Sequence, residues 1–290
     1  MPGTIVMASP DFYEVAYTIN PWMKPDIWAE DREAALARAK AQWGELARAL
    51  GEAGMTVEVV PAHPGLPDLV FPANAAVVLD GRALLARFRY PERRGEEARF
   101  LAFFEELKTR GLLAEVRQMP AGLFQEGAGD CLWDATRDLF WAAYGPRSAA
   151  ESVAYIRSFF GTEVVGLELA TDRFYHLDTC FCVLSGGEIM YYPPALSPAS
   201  QALVEARVPA ERRIVATEDE AGAFSLNAVT IGRDLFMAPP PTRLRRLLEE
   251  RGYRCRPFDL SAFVLSGGGA FCMTLRLDLA SKAGRSRAAG

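Results

Sequence analysis

The chain has 290 residues, half of them apolar and a quarter charged, with a formal net charge of −5 and a pI near 5.3. That acidic balance leaves no surplus of cations to displace counterions from phosphates, which excludes nucleic acid as a partner. No run of about eighteen apolar residues occurs, which excludes a membrane-spanning helix, and there is ample apolar material for a core.

From the N-terminus, MPGTIVMASP lacks the basic start and the length of a secretion signal. Residues 31–54 (DREAALARAKAQWGELARALGEAG) keep apolar side chains on one face and stop at Gly54, which predicts a helix. Residues 69–89 (LVFPANAAVVLDGRALLARFR) read as a strand, a DG turn and a second strand. Residues 94–111 carry acids early and bases late, as a helix dipole prefers. The hairpin outline returns at 123–144 around DATRD, and residues 148–161 predict a helix opened by a capping box of Ser148 and Glu151. Hairpins follow at 174–192 and 225–239, helices at 197–208 and 241–252. The last stretch, SGGGAFCMTLRLDL at 266–279, shows one clear strand. A short β-prone piece comes after each helix: MTVEVVP, AEVRQMP, TEVVGLELA, RRIVATE and YRCRPFDL.

Five hairpin-like units, five helices and five further strands recur with a spacing of about 45 to 56 residues, measured along Asn74, Asp130, Asp178, Asn227 and Cys272. The pattern predicts an α/β fold built from five ββαβ units in a closed, pseudo-symmetric arrangement. A doubly wound parallel sheet is the alternative, but hairpins oppose it because parallel strands need crossovers. Residues 1–280 are read as a single domain, and the small, basic tail SKAGRSRAAG at 281–290 as disordered. Each first strand of the repeat carries one polar residue, costly to bury without a partner. If the units surround an axis, these five side chains converge on one polar centre.

Five cysteines, an odd number, favour reduced thiols and a cytoplasmic location. Cys180 and Cys182 share a strand face, but with only two histidines in the chain a zinc site lacks ligands; no metal or organic cofactor is called for. Three segments carry chemistry: FQEGAGD with Glu126 and Asp130, FYHLDTC with His176 and Asp178, and GGGAFC with Cys272. A cysteine, a histidine and several carboxylates point to nucleophilic catalysis on a cationic substrate: the carboxylates hold the cation, the thiol attacks and the histidine moves protons.

These segments, with INPWM (19–23), FPANA (71–75) and GGGAFCMT (267–274), resemble the guanidino-modifying superfamily. That superfamily includes dimethylarginine dimethylaminohydrolases, arginine deiminases, amidinotransferases and arginine dihydrolases. The resemblance spans essentially the whole chain and implies a five-bladed α/β propeller of ββαβ units. It implies Cys272 as nucleophile, His176 as general acid-base and Glu126 as its orienting partner. Asp178 and Asp130 would hold the guanidinium, Arg147 the substrate carboxylate, and Asn20 would line the pocket. Either Arg87 or Arg94 would assist, in the arginine-rich stretch RFRYPERRGE. The partner so implied is a small guanidino compound, arginine or a methylated arginine.

One position separates the members. Deiminases and dimethylaminohydrolases resembling this chain carry aspartate where it has Asn74, whereas arginine dihydrolases carry asparagine. An amide can hydrogen-bond a neutral ureido group as well as a cation. The resemblance therefore implies conversion of arginine to ornithine, ammonia and carbon dioxide. The alternatives are a dimethylaminohydrolase or deiminase yielding citrulline, an amidinotransferase, and a catalytically silent arginine-binding protein.

Overall fold

The computed structural model describes residues 3–288. It contains five three-stranded sheets of one topology. The first four, in chain order, are Ala76–Leu79, Arg82–Leu85 and Glu115–Gln118; Cys131–Asp134, Leu139–Tyr144 and Glu163–Glu168; Phe181–Val183, Ile189–Tyr191 and Arg213–Val215; and Val229–Ile231, Asp234–Met237 and Arg254–Pro257. In each, the first two strands form an antiparallel hairpin and the third returns parallel to the second.

The hairpins follow from local chemistry. In the first, Asp80 and Gly81 have φ of 53° and 70°, the pair of positive values that a two-residue type I′ turn requires and that a DG dipeptide supplies. The crossovers run through the helices Glu96–Thr109, Ser152–Phe160, Pro198–Arg207 and Thr242–Glu249.

The fifth sheet draws on both ends of the chain. Leu275–Arg276 pairs antiparallel with Thr4–Ala8, which lies parallel to Thr56–Val60 across the helix Arg32–Glu52. The lone strand read in 266–279 thus completes its hairpin with the N-terminal strand. Asp31 caps the long helix by accepting from the Ala34 N–H at 3.0 Å. That helix buries Ala35, Ala39, Leu46 and Leu50, each leucine stabilising the fold by about 2 kcal/mol.

Burial is graded across every unit. The first strands Ala76–Leu79 and Cys131–Asp134 are buried on both faces, whereas Glu115–Gln118 is only partly buried and Arg254–Pro257 is largely exposed. This is why the hairpin sequences run continuously apolar instead of alternating. First strands of four units line a cavity of about 110 Å³ with Asp178 in its wall. No helix among the described residues is long and apolar enough to cross a membrane.

Two expectations are corrected. Ser148 and Glu151 form no capping box: the helix starts at Ser152 without a side-chain cap, and the Ser148 hydroxyl donates to Asp130 instead. The capping box in the structure is Thr217 with Glu220, ahead of the short helix Glu218–Gly222. The tail 281–290, expected to be disordered, carries a helix over Lys282–Ala288. Asp80 holds its start through the Ser281 N–H and hydroxyl, and Asp138 accepts from the Lys282 N–H. Residues 289–290 of that tail lie outside the described residues.

Candidate active site

All five polar positions of the repeat lie in tight turns just ahead of a first strand, not within it. Asn74 sits in the turn Pro72–Ala75, Asp130 closes Gly127–Gly129, and Asp178 sits in Leu177–Thr179. Asn227 and Cys272 stand shortly before Val229–Ile231 and Leu275–Arg276. The strands are apolar on both faces, so a polar side chain fits where the ladder stops. Glycine permits the close approach of these turns. A Cβ on Gly129 would collide with the Asn74 amide, and one on Gly268 with the Phe71 ring.

Cys272 is 2% exposed. Its thiol donates to Asp178 Oδ2 at 3.1 Å, and Asn227 Nδ2 donates to its Sγ at 3.1 Å. The other Asp178 oxygen, Oδ1, is buried without a partner. Burial pushes the Asp178 carboxyl up to about 7, against the hydrogen bonds from Cys272 and Asn227. Burial, followed by the neighbouring Asp178 charge, pushes the Cys272 thiol above its usual value. A resting thiol donating S–H to a carboxylate is the consequence. A cation placed against both groups favours their ionised forms.

Beside them, His176 is bonded through Nε2 to Glu126 Oε2 at 2.8 Å, while Asn74 Nδ2 lies 3.5 Å from Nδ1. With Nε2–H donating to the carboxylate, Nδ1 is the lone pair free to take a proton. Arg147 Nη1 donates to the same Glu126 oxygen at 2.8 Å. Burial opposes ionisation of Glu126, but the charge of Arg147 and the bond from His176 hold its carboxyl well below the usual range. The Arg147 guanidinium lies between the rings of Tyr90 and Tyr175, 4.7 Å from each centroid, and its Nη2 donates to the Ile19 carbonyl at 3.0 Å.

A second carboxylate is also incompletely paired. Asp68 Oδ2 accepts from the Tyr17 hydroxyl at 3.1 Å and faces Arg93 Nε at 3.9 Å, while its buried Oδ1 has no partner. Arg93 holds Glu96 through Nε and Nη2, both at 2.8 Å, and donates from Nη1 to Asn74 Oδ1 at 2.8 Å.

The structure therefore forms a group of two bonded clusters, Cys272 with Asp178 and Asn227, and His176 with Glu126, Arg147 and Asn74; they meet where the Ala73 N–H, next to Asn74, donates to the Cys272 carbonyl at 3.2 Å. Asp130 is adjacent, but both its oxygens are used, by the Leu177 N–H at 3.0 Å and the Ser148 hydroxyl at 2.6 Å. Asn20 ties INPWM to the glycine loop: Nδ2 donates to the Ser266 carbonyl and Oδ1 accepts from the Trp22 N–H. Arg87 and Arg94 lie outside the group. Arg87 pairs with Glu97, and Arg94 donates to the carbonyls of Phe88 and Arg89. The arginine of that stretch in contact with Asn74 is Arg93. Sequence reasoning missed it and Asp68, although Arg93 precedes Glu96 by one helical turn and Asp68 stands alone in the apolar run LPDLVF.

Comparison with known proteins gives the family. The family profile described as eukaryotic N,N dimethylarginine dimethylhydrolase matches residues 12–279. The bifunctional arginine dihydrolase/ornithine cyclodeaminase ArgZ of Synechocystis sp. is 44% identical over 273 residues; this is 94% of the present chain but 37% of ArgZ. The N(G),N(G)-dimethylarginine dimethylaminohydrolase of Mycobacterium tuberculosis is 35% identical over 271 residues, 93% of this chain and 84% of that protein. Among solved structures, the N-terminal domain of ArgZ, as an asparagine-to-serine variant covalently bonded to a reaction intermediate, matches with a TM-score of 0.90 and 42% identity. That match covers 96% of this chain and 98% of the domain. On a match running from the segment over the site to beyond the last strand, the chain belongs to the dimethylarginine dimethylhydrolase family of guanidino-modifying proteins.

Proposed function

We propose that this protein is an arginine dihydrolase, a hydrolase of guanidino C–N bonds that works through a covalent adduct on Cys272. The observation that carries the reading is the Cys272 thiol on one oxygen of Asp178 while the other oxygen is buried and unpartnered. A buried carboxylate oxygen without a donor asks for a ligand rich in N–H groups, and a guanidinium bound there lies against the nucleophile. Asp68, with its own unpartnered oxygen and 3.9 Å from Arg93, is placed for the α-ammonium. Arg147 and Arg93 are the buried cations available to the α-carboxylate. The covalent intermediate on the ArgZ domain supports the same chemistry.

The steps balance as follows. The Cys272 thiolate adds to the guanidinium carbon, and the C–N bond to a terminal nitrogen breaks as His176 supplies the proton that lets ammonia leave. Water, deprotonated by His176 Nδ1, adds to the resulting amidino-thioether. Breaking the second terminal C–N bond releases a second ammonia and leaves a carbonyl on sulfur. A second water frees the carbamate, which loses carbon dioxide to give ornithine. In sum, one arginine and two waters yield one ornithine, two ammonia and one carbon dioxide. Asn74 supports passage beyond the first ammonia, because its neutral amide tolerates a neutral ureido-like centre that an aspartate would disfavour.

The repeated sheet topology supports a five-bladed propeller around a common axis, with residues 1–280 as one catalytic unit. The free cysteines support a reducing, cytoplasmic setting. The family profile favours a second reading, removal of dimethylamine from dimethylarginine to give citrulline. Product analysis separates the two. With arginine as sole substrate, ornithine and two equivalents of ammonia are expected, absent in Cys272→Ser. Citrulline as end product would remove the dihydrolase reading, and turnover of dimethylarginine alone would install the second.

A further inference from the structure

The amide of Asn227 uses all of its hydrogen-bonding capacity around the thiol. It is fully buried, at 0% exposure. Its Nδ2 donates one hydrogen to Cys272 Sγ and the other to the Asp178 carbonyl, each at 3.1 Å. Its Oδ1 accepts from the backbone N–H of Phe271 at 2.9 Å and of Cys272 at 3.2 Å. These partners fix the orientation of the amide: a flip would set its oxygen against a carbonyl and its nitrogen against two N–H groups. The glycine loop is fitted to it, since a Cβ on Gly269 would stand 2.8 Å from Asn227 Oδ1.

We infer that Asn227 is a positioning residue that holds the Cys272 loop and stabilises the thiolate through the Nδ2–H···Sγ bond. It is the neutral donor opposite Asp178, which takes the thiol proton in the resting site. The ionisable groups facing the sulfur are Asp178 and Tyr175, whose phenol feels the Cys272 and Asp178 charges and donates to the Gly267 carbonyl at 2.7 Å. Tyr175 is neutral, whereas the Asp178 charge disfavours a second negative charge beside it, so an uncharged N–H donor offers ionisation what the carboxylate cannot. When a cation reaches Asp178, the thiol proton is released to solvent and the Asn227 bond is already in place. The assignment rests on Cys272 being the nucleophile of the proposed reaction, but it is read on the thiol itself.

The test is the pH dependence of Cys272 alkylation by iodoacetamide in the full chain, with Asn227→Asp and Asn227→Ser compared with the parent. Asn227→Asp keeps the shape but has no N–H to give. The alkylation midpoint should rise by about one unit, which is roughly ten-fold less thiolate at neutral pH. With arginine, kcat should fall with little change in KM. Asn227→Ser, which retains a short hydroxyl donor, should recover part of the reactivity. In the unaltered protein, the Asn227 side-chain amide resonance should shift with the alkylation midpoint and cease to titrate once Cys272 is blocked, a readout independent of whether a variant folds. An Asn227 amide indifferent to thiol titration, or an Asn227→Asp protein of native circular dichroism with an unchanged midpoint, would overturn the assignment. Absence of arginine turnover by the parent, with the alkylation shift intact, would remove the dihydrolase reading and leave the Asn227 role standing.

Discussion

Asp178 joins two demands that pull in opposite directions. In the proposed reaction its carboxyl ionises to hold a cation, yet burial pushes it up to about 7. Substrate capture should therefore improve as pH rises through neutrality, with kcat/KM climbing along a limb set by this group in the free enzyme. Below that limb, arginine binding should release a proton, measurable by calorimetry in buffers of different ionisation enthalpy. A flat profile there would remove Asp178 as the group that gates capture. The sign for stability is the reverse. The folded-state value lies above the ordinary 3.8, so the native protein holds this proton more tightly than the unfolded chain, and the resulting stability is lost as pH rises through about 7. Asp178→Asn should accordingly abolish turnover and yet raise stability above neutral pH by about 1–3 kcal/mol, since it removes a buried, half-paired charge. Thermal unfolding of parent and variant on either side of neutrality reads this directly.

Turns and helices set a different scale of effect. Gly268→Ala drives a Cβ into the Phe71 ring, which should cost about 1–3 kcal/mol and displace the loop that carries Cys272, lowering kcat together with the unfolding temperature. Gly44, inside the helix Arg32–Glu52, has nothing within 4 Å of an added Cβ. Gly44→Ala should therefore stabilise the protein by about 0.5–1 kcal/mol and leave activity alone. Should both substitutions act alike in thermal unfolding and turnover assays, close approach would not be what the glycine loop supplies. At this scale the sequence is readable where periodicity rules. The five long helices and the hairpins stand close to the positions that apolar spacing and turn dipeptides indicate. It is less readable where a residue type serves two purposes. Ser148 has the look of a helix cap, but a buried carboxylate three-dimensionally close to it, Asp130, takes its hydroxyl. In RFRYPERRGE, the choice among arginines depends on how the short helix Pro91–Arg94 is rotated. That rotation buries Arg93 against Glu96, and the i,i+3 spacing of the two is the one local sign of it. Cys272, His176, Asp178 and Glu126 were legible because costly residues stand in apolar or glycine-rich surroundings; Asp68 offered the same kind of signal more faintly.

For the whole molecule, the decisive element is two residues long. Leu275–Arg276 pairs with Thr4–Ala8 and so gives the fifth sheet its third strand. Cutting the chain after residue 280 removes the helix Lys282–Ala288 and its ties to Asp80 and Asp138, and should leave a folded, active protein of slightly lower unfolding temperature. A cut after residue 274 strips the edge of Thr4–Ala8, a strand buried along most of its length, and should abolish cooperative unfolding and soluble expression. Equal behaviour of the two truncations would show that the terminal strand does not hold the fifth unit together.

That junction also bears on how the protein is made. A ribosome delivers Thr4–Ala8 long before its partner Leu275–Arg276, so the first strand must wait, with one edge open, while all four intervening units are made. Cys272, the proposed nucleophile, lies only a few residues ahead of that closing strand. A nascent chain can thus hold every strand of four of its five sheets and still lack Cys272. On the proposed mechanism, a product interrupted before the fifth sheet closes should be inert toward arginine.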